Sequence, residues 1–269
     1  MARLSVLSQT SLQDYADCPQ RFKLKYLDRL SYPALESEPA LENEKHQAEG
    51  EYFHRLAQQA FLGMDAQKLG RLAFSPDLSR WWQNLHDHFP ALDGYTTYTE
   101  FTLTAPIGDF RLVAKYDVLA IRDGRAVILD WKTSRRRTSN EALAARWQTR
   151  VYPALLAYSG APLNGGQPFI PAEIQMVYWF AEFPANPASF FYSAVRFQQD
   201  WDAIAQLADE IPSRKDFAQT RDAQKCGFCV YRSYCERGIR AAEGSPEETD
   251  SLASSLFNLN FEQIGEIAF

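Results

Sequence analysis

The sequence predicts a mixed α/β fold in which a central sheet is flanked by helices, and three observations carry that prediction. Residues 110–121 alternate apolar and polar side chains, Arg122-Asp123-Gly124-Arg125 supplies turn chemistry, and residues 126–132 are rich in Val, Ile and Leu, so the middle of the chain reads as a β-hairpin. Helical spacing of apolar residues marks residues 47–62 before the hairpin and 140–158 after it. Two further strands, at 173–180 and 190–197, follow the second helix and extend the sheet.

With 269 residues, 46% hydrophobic and 23% charged, the chain can bury a sizeable core in one large domain or two small ones. A formal charge of −6 argues against coating nucleic acid by bulk electrostatics and leaves room for a local basic patch. No apolar run approaches the ~20 residues of a membrane span, and the opening residues lack a signal-peptide core. A soluble, cytoplasmic protein without a membrane partner is expected.

Taken in order, Thr10 or Ser11 is the expected N-cap of a first helix, and Pro19, just after Cys18, suits the first turn of a second. Residues 30–45 carry prolines, glutamates and serines and read as a mobile connection. The helix over 47–62 has Phe53, Leu56, Ala57, Ala60 and Phe61 on one stripe, with His54 beside it and Gly50 one turn earlier on the His54 face. Another helix is expected over 78–89, with Trp81, Trp82, Leu85 and Phe89 in the core. Strands follow at 96–104, 110–121 and 126–132. Arg135, Arg136 and Arg137 then form a basic exit that can meet phosphates or be a solvated turn. In the helix over 140–158, Gln148 and Tyr152 share a face and Pro153 is placed to kink it. A helix over 198–211 completes the core.

The hairpin places chemistry as well as structure. Asp117 lies near the middle of its first strand, and Asp130 and Lys132 end the second, so two carboxylates and an ammonium can meet across strands ~4.8 Å apart. Such a pair of carboxylates holds a hard divalent cation, and a lysine beside them can orient or help deprotonate a water on it. An ordinary surface ion pair plus a turn carboxylate is the competing account. Against it, Asp130 ends an apolar run and needs a partner.

Four cysteines remain: Cys18, and Cys226, Cys229 and Cys235 in Cys-x2-Cys-x5-Cys spacing. In an intracellular protein that pattern reads as a four-thiolate metal site rather than disulfides or four unrelated buried thiols. Zinc and an iron–sulfur cluster both suit four thiolates, and the residues leave the two open. Cysteines at both ends with the hairpin between them imply a single unit up to about residue 240.

Together these residues resemble the RecB-type branch of the PD-(D/E)XK nuclease superfamily, in particular its iron–sulfur members, among them CRISPR-associated four-cysteine exonucleases and the AddB helicase-nuclease subunit. Gly50 to His54 resembles the G-x3-H motif, Asp117 the first acidic position, Asp130-Trp131-Lys132-Thr133 the D-x-K-T sequence, and Gln148 to Tyr152 the Q-x3-Y helix. Ala114 departs from the glycine that many relatives have three residues before the first Asp. The resemblance covers residues 18–235 and implies a restriction-endonuclease-like sheet with a helical cluster-bearing part joining the N- and C-terminal segments. It implies Mg2+ or Mn2+ held by His54, Asp117, Asp130 and the Trp131 carbonyl, with Lys132 positioning water. It implies a [4Fe–4S] cluster on Cys18, Cys226, Cys229 and Cys235. Gln148 and Tyr152 would contact DNA or hold the lysine and metal ligands from behind. The implied activity is exonucleolytic cleavage of single-stranded DNA, with protein partners in DNA repair or CRISPR adaptation. A non-cleaving DNA- or partner-binding subunit and a zinc-stabilised interaction module are the alternatives. Residues 1–240 form the expected nuclease domain, followed by a linker and tail over 241–269, with the linker at 243–255 and an apolar tail at 256–269.

Overall fold

The computed structural model describes residues 4–31, 38–88, 92–227 and 229–237, with side chains from residue 44 onward in the second of these stretches. Phe89 and the expected linker and tail lie outside the described residues.

Six strands form one mixed sheet in the order β1-β3-β4-β5-β6, with β2 also on β3. They are β1 (Val6–Ser8), β2 (Thr96–Ile107), β3 (Phe110–Arg122), β4 (Arg125–Lys132), β5 (Ile174–Phe180) and β6 (Ala188–Phe191). The expected hairpin is β3–β4, and its two-residue turn places Asp123 at φ 49° and Gly124 at φ 79°, the left-handed pair that matches strand twist. Antiparallel β2 runs along one edge of β3 from Thr96↔Ile121 to Ile107↔Phe110. The other edge is shared. Parallel β1 covers Arg111 to Val113, and antiparallel β4 covers Val118 to Arg122. Between them, residues 114–117 of β3 have no ladder partner on that side, and the strands fork.

Helices cover both faces. α1 (Gln9–Asp17), α6 (Asn140–Ala145), α7 (Trp147–Ser159) and α8 (Ala194–Ser213) pack on one side, around Leu12, Tyr116, Ile128, Leu155, Tyr178 and Ile204. On the other side α3 (Glu38–Phe61), the short α4 (Ala66–Gly70) and α5 (Pro76–His88) cover Val118, Leu129, Trp131, Val177 and Trp179 with Phe53, Leu56, Leu69 and Trp81. Each large buried apolar side chain contributes about 1.5–3 kcal/mol, so these two layers hold the sheet in place. Among the described residues no helix is long and apolar enough to cross a membrane.

The first and last described segments meet. After α1, α2 (Pro19–Phe22) and a π-helical turn (Lys23–Leu27) run against residues 214–237: the Gln20 N–H donates to the Ala218 carbonyl at 3.2 Å, and Lys225 pairs with Asp17 at 2.7 Å.

Several boundaries depart from expectation, each for a local reason. The first helix is capped by Ser8, whose hydroxyl accepts from the Ser11 N–H while Ser11 returns a bond to the Ser8 N–H, a reciprocal box two or three residues earlier than expected. Part of the expected mobile stretch, from Glu38, already belongs to α3, and Pro39 sits in its first turn, where the missing N–H costs nothing. The helix expected over 140–158 breaks at Arg146 (ψ 142°) rather than at Pro153, which stays inside α7. The last strand stops at Phe191, because Ser193 caps α8 by accepting from the Arg196 N–H and draws Phe197 into the helix.

Candidate active site

The fork positions the functional side chains. β4 leaves β3 after the Val118↔Leu129 pair, and the Asp117 carboxylate takes the next ladder position, accepting the Trp131 N–H at 2.9 Å. The register of β2 and β3 sets Glu100 across from Asp117, and the β3–β4 ladder ends one position short of Asp130. The core face of β3 runs through Leu112, Ala114 and Tyr116 and then jumps to Leu119 and Ile121, and that of β2 jumps likewise from Tyr98 to Phe101. Both strands change phase at the Glu100–Asp117 row, and Glu100 has the left-handed backbone (φ 53°) that makes the change possible. Glu100 on β2 and Asp117 on β3 thus stand together.

Helix α3 brings His54 to this row. Its approach depends on Gly50: a Cβ there would lie 2.8 Å from the Thr133 hydroxyl oxygen, so only a glycine lets the helix rest on the end of β4. His54 Nδ1 lies 3.3 Å from Asp117 Oδ1, buried and without a hydrogen bond of its own. Burial pushes the His54 imidazole down, but the Asp117 carboxylate, with Asp130 and Glu100 behind it, more than reverses this and leaves its pKa raised. His54, Glu100 and Asp117 each offer a ligand atom within 4.8 Å of the others. Glu100, which also pairs with Lys115, has no part in the sequence motifs. The three-residue gap between Tyr98 and Phe101 in an otherwise alternating strand is the signal that marks it.

Asp130 and Lys132 point to the opposite face from Trp131, toward α7, and both are at most 5% exposed. Lys132 Nζ lies 3.0 Å from Asp130 Oδ2 and donates to Gln148 Oε1 at 3.1 Å, while Gln148 Nε2 donates to Asp130 Oδ1 at 2.6 Å. The triangle satisfies a buried ion pair that would otherwise be costly. One turn on, Tyr152 fills the gap in the ladder: its hydroxyl donates to the Lys115 carbonyl at 2.8 Å and accepts from Gln9 Nε2 at 3.2 Å. Gln148 and Tyr152 are both buried, and their polar ends bond within the protein. Arg137 is used within the protein, donating to the Asn186 carbonyl and to Asn140. Arg135 and Arg136 are exposed beside the fork.

The donor set fits a hard divalent cation: one buried imidazole nitrogen with no hydrogen bond, and carboxylates on the two adjoining strands β2 and β3. The four cysteines line a single separate pocket between the chain's ends, together with Arg21, Lys225, Arg232 and Arg237. Cys18 is buried, and its sulfur accepts from the Thr220 N–H at 3.4 Å; Cys226 accepts from Arg237 at 2.9 Å. No three of the sulfurs gather within 4.8 Å of one another.

Comparison with known proteins follows this geometry. A crystal structure of an Eubacterium rectale protein, provisionally named an exonuclease, aligns over 93% of both chains at 12% identity with a TM-score of 0.51. The crystal structure of SSO0001 is a looser likeness, covering 87% of both chains at 13% identity and a TM-score of 0.43. No curated protein matches the sequence. The family description of the PD-(D/E)XK nuclease superfamily matches residues 6–236, a span that holds the sheet, the fork, His54 and all four cysteines. The chain belongs to the PD-(D/E)XK nuclease superfamily.

Proposed function

We propose that this chain is a metal-dependent deoxyribonuclease of the RecB-like, iron–sulfur type, which hydrolyses phosphodiester bonds from the ends of single-stranded DNA. The observation that carries the reading is the fork, which sets His54, Glu100 and Asp117 beside the Asp130–Lys132–Gln148 triangle across a single strand junction.

His54, Asp117 and Asp130, with the Trp131 carbonyl, would hold Mg2+ or Mn2+, and Glu100 is positioned to join them. When bound, such an ion supplies Lewis acidity, lowering the pKa of its water and neutralising charge on the phosphate oxygens. Lys132 orients the attacking water and takes part in its deprotonation, while Gln148 fixes the lysine's position by bonding both it and Asp130. Tyr152 keeps the β3 edge closed where no strand covers it. Arg135 and Arg136 are the exposed cations nearest the exit of β4 and would receive the DNA phosphates. The provisional exonuclease name of the Eubacterium rectale protein agrees with this reading.

For the cysteine pocket, a [4Fe–4S] cluster is the better fit. Four thiolates on one zinc at about 2.3 Å would sit about 3.8 Å apart, and the sulfurs here are spread more widely around one pocket. The group would supply a covalent clip between the chain's ends. Residues 1–240 then form one nuclease unit.

The test is cleavage of end-labelled single and double strands with Mn2+ by the parent protein and Asp130→Asn, which keeps the size of the side chain and removes its charge and one of its two acceptors. The parent shortens single strands from an end, and the variant loses about 10²–10³-fold or more. Equal cleavage by the two proteins, or none by the metal-loaded parent, overturns the reading. Iron and sulfide measured after anaerobic purification decide the cluster; zinc without sulfide overturns it.

A further inference from the structure

A second group of ligand atoms lies on the same helix as His54 and has no part in the nuclease motifs. His46 and Glu49 stand three residues apart on one face of α3, and Asp77 lies in the first turn of α5, which packs against it. One ligand atom from each lies within 4.8 Å of the other two. His46 Nε2 is 3.0 Å from the Thr133 carbonyl, which can only accept, so Nε2 carries the proton and Nδ1 the lone pair. That Nδ1 is buried and has no hydrogen-bond partner. Its ring lies edge-on to Trp81, with centroids 5.3 Å apart.

Glu49 is the independent observation. It is 7% exposed, and no hydrogen bond or ion pair to it is found among the described residues. Its neighbour in the group is a second carboxylate, Asp77, and a cation between the two would offset their mutual repulsion. Arg80 does not answer this need, because it lies on the rim and pairs with both Asp77 and Glu182. Burial and then the charge of Arg135 push the His46 imidazole down, which keeps it neutral and able to ligate. A ring nitrogen whose opposite N–H is held by a backbone carbonyl is the arrangement found at metal-binding histidines.

We propose that His46, Glu49 and Asp77 form a second metal site, separate from the nuclease centre, that takes one divalent transition-metal ion of the Zn2+ type. One imidazole and two carboxylates are a donor set that zinc accepts, with water completing its shell. Bonds of about 2.0–2.2 Å would draw the donors closer than they now stand. Asp77, whose side chain is 34% exposed, can move, since Glu182 retains Arg80. The site is not the second ion of a two-metal catalytic pair: His46 and His54 are eight residues apart, about 12 Å along the helix, against the ~4 Å such pairs require. Its effect is mechanical. It ties α3 to α5 and, through His46, to the Thr133 carbonyl next to Lys132.

The site stands whether or not the chain cleaves DNA, so its test does not use cleavage. Full-length protein carrying Asp117→Asn and Asp130→Asn, which removes ligands at the fork, is dialysed against Zn2+ with its cysteine pocket loaded as isolated. Bound zinc is counted by atomic absorption and thermal midpoints are recorded. One further zinc per chain is expected, with a midpoint rise of roughly 5–10 °C at a hundredfold excess over Kd. Adding Glu49→Gln should remove that zinc and the rise, and Asp77→Asn at the rim should weaken binding at least tenfold; the latter decides the matter if the Glu49 variant does not fold. A zinc count and midpoint rise unchanged in the variants overturn the proposal, as does a parent that takes up no zinc.

Discussion

At the strand fork, Asp130, Lys132 and Gln148 close a buried triangle of hydrogen bonds on long, continuous elements, whereas in the cysteine pocket the thiols stand apart on short turns. Cys226 ends a three-residue 3-10 turn and Cys235 a four-residue one, and the backbone from 214 to 237 is tied mainly by local turn bonds and by Arg232 and Arg237. The fork's geometry comes from the sheet and needs no ligand to persist. The pocket is held by short turns and a few long-range side-chain bonds, so the proposed cluster would add there a rigidity that the fork takes from its sheet.

The largest test of this contrast is Cys18→Ala. Loss of one thiolate should remove the clip between residues about 200 apart and cost about 2–5 kcal/mol of stability. Iron and sulfide should fall, limited proteolysis should cut within 214–237, and weak cleavage should remain because the fork contains no cysteine. Unchanged iron content and thermal midpoint would erase the contrast.

Gly50→Ala sharpens it from the other side. In an ordinary helix interior the change stabilises by roughly 1 kcal/mol, but here the new Cβ meets buried Thr133, and a loss of about 1–3 kcal/mol is expected. Denaturant melts of Gly50→Ala, Thr133→Ala and the double variant measure the coupling. Additive effects would mean that α3 does not rest on β4 at this point.

Tyr152→Phe should have the smallest effect, about 1–2 kcal/mol, because it removes one hydroxyl that bonds the Lys115 carbonyl and Gln9. The melting midpoint should drop while KM for DNA stays constant. A higher KM at an unchanged midpoint would instead put Tyr152 in contact with the strand.

The features legible in the sequence were those set by near neighbours. Asp123-Gly124 announces its turn because left-handed backbone favours those residues, and Gly50 and His54 lie one helical turn apart on any α-helix. Asp130 and Lys132, two residues apart, share a face on any β-strand, and their ion pair follows from that spacing. What stayed hidden depended on distant parts of the chain. β1 is three residues long and is defined only by pairing with Arg111 to Val113, more than a hundred positions away. Glu100 joins the acidic row only because β2 and β3 change phase together. His46 fell between the expected connection at 30–45 and the expected helix at 47–62, and packing against α5 and the end of β4 gives it neighbours.

The meeting of the chain's ends also has a consequence for biosynthesis. Tyr15 donates to Glu210 and lies edge-on to Phe217, and Tyr231 donates to the Leu30 carbonyl. None of these partners exists until about 200 more residues have left the ribosome, roughly 10–40 s at ~5–20 residues per second. For that interval the Tyr15 ring lacks its late cover, while the central hairpin can already pair. The nascent chain therefore carries a hairpin that can form early and an opening segment whose cover arrives late.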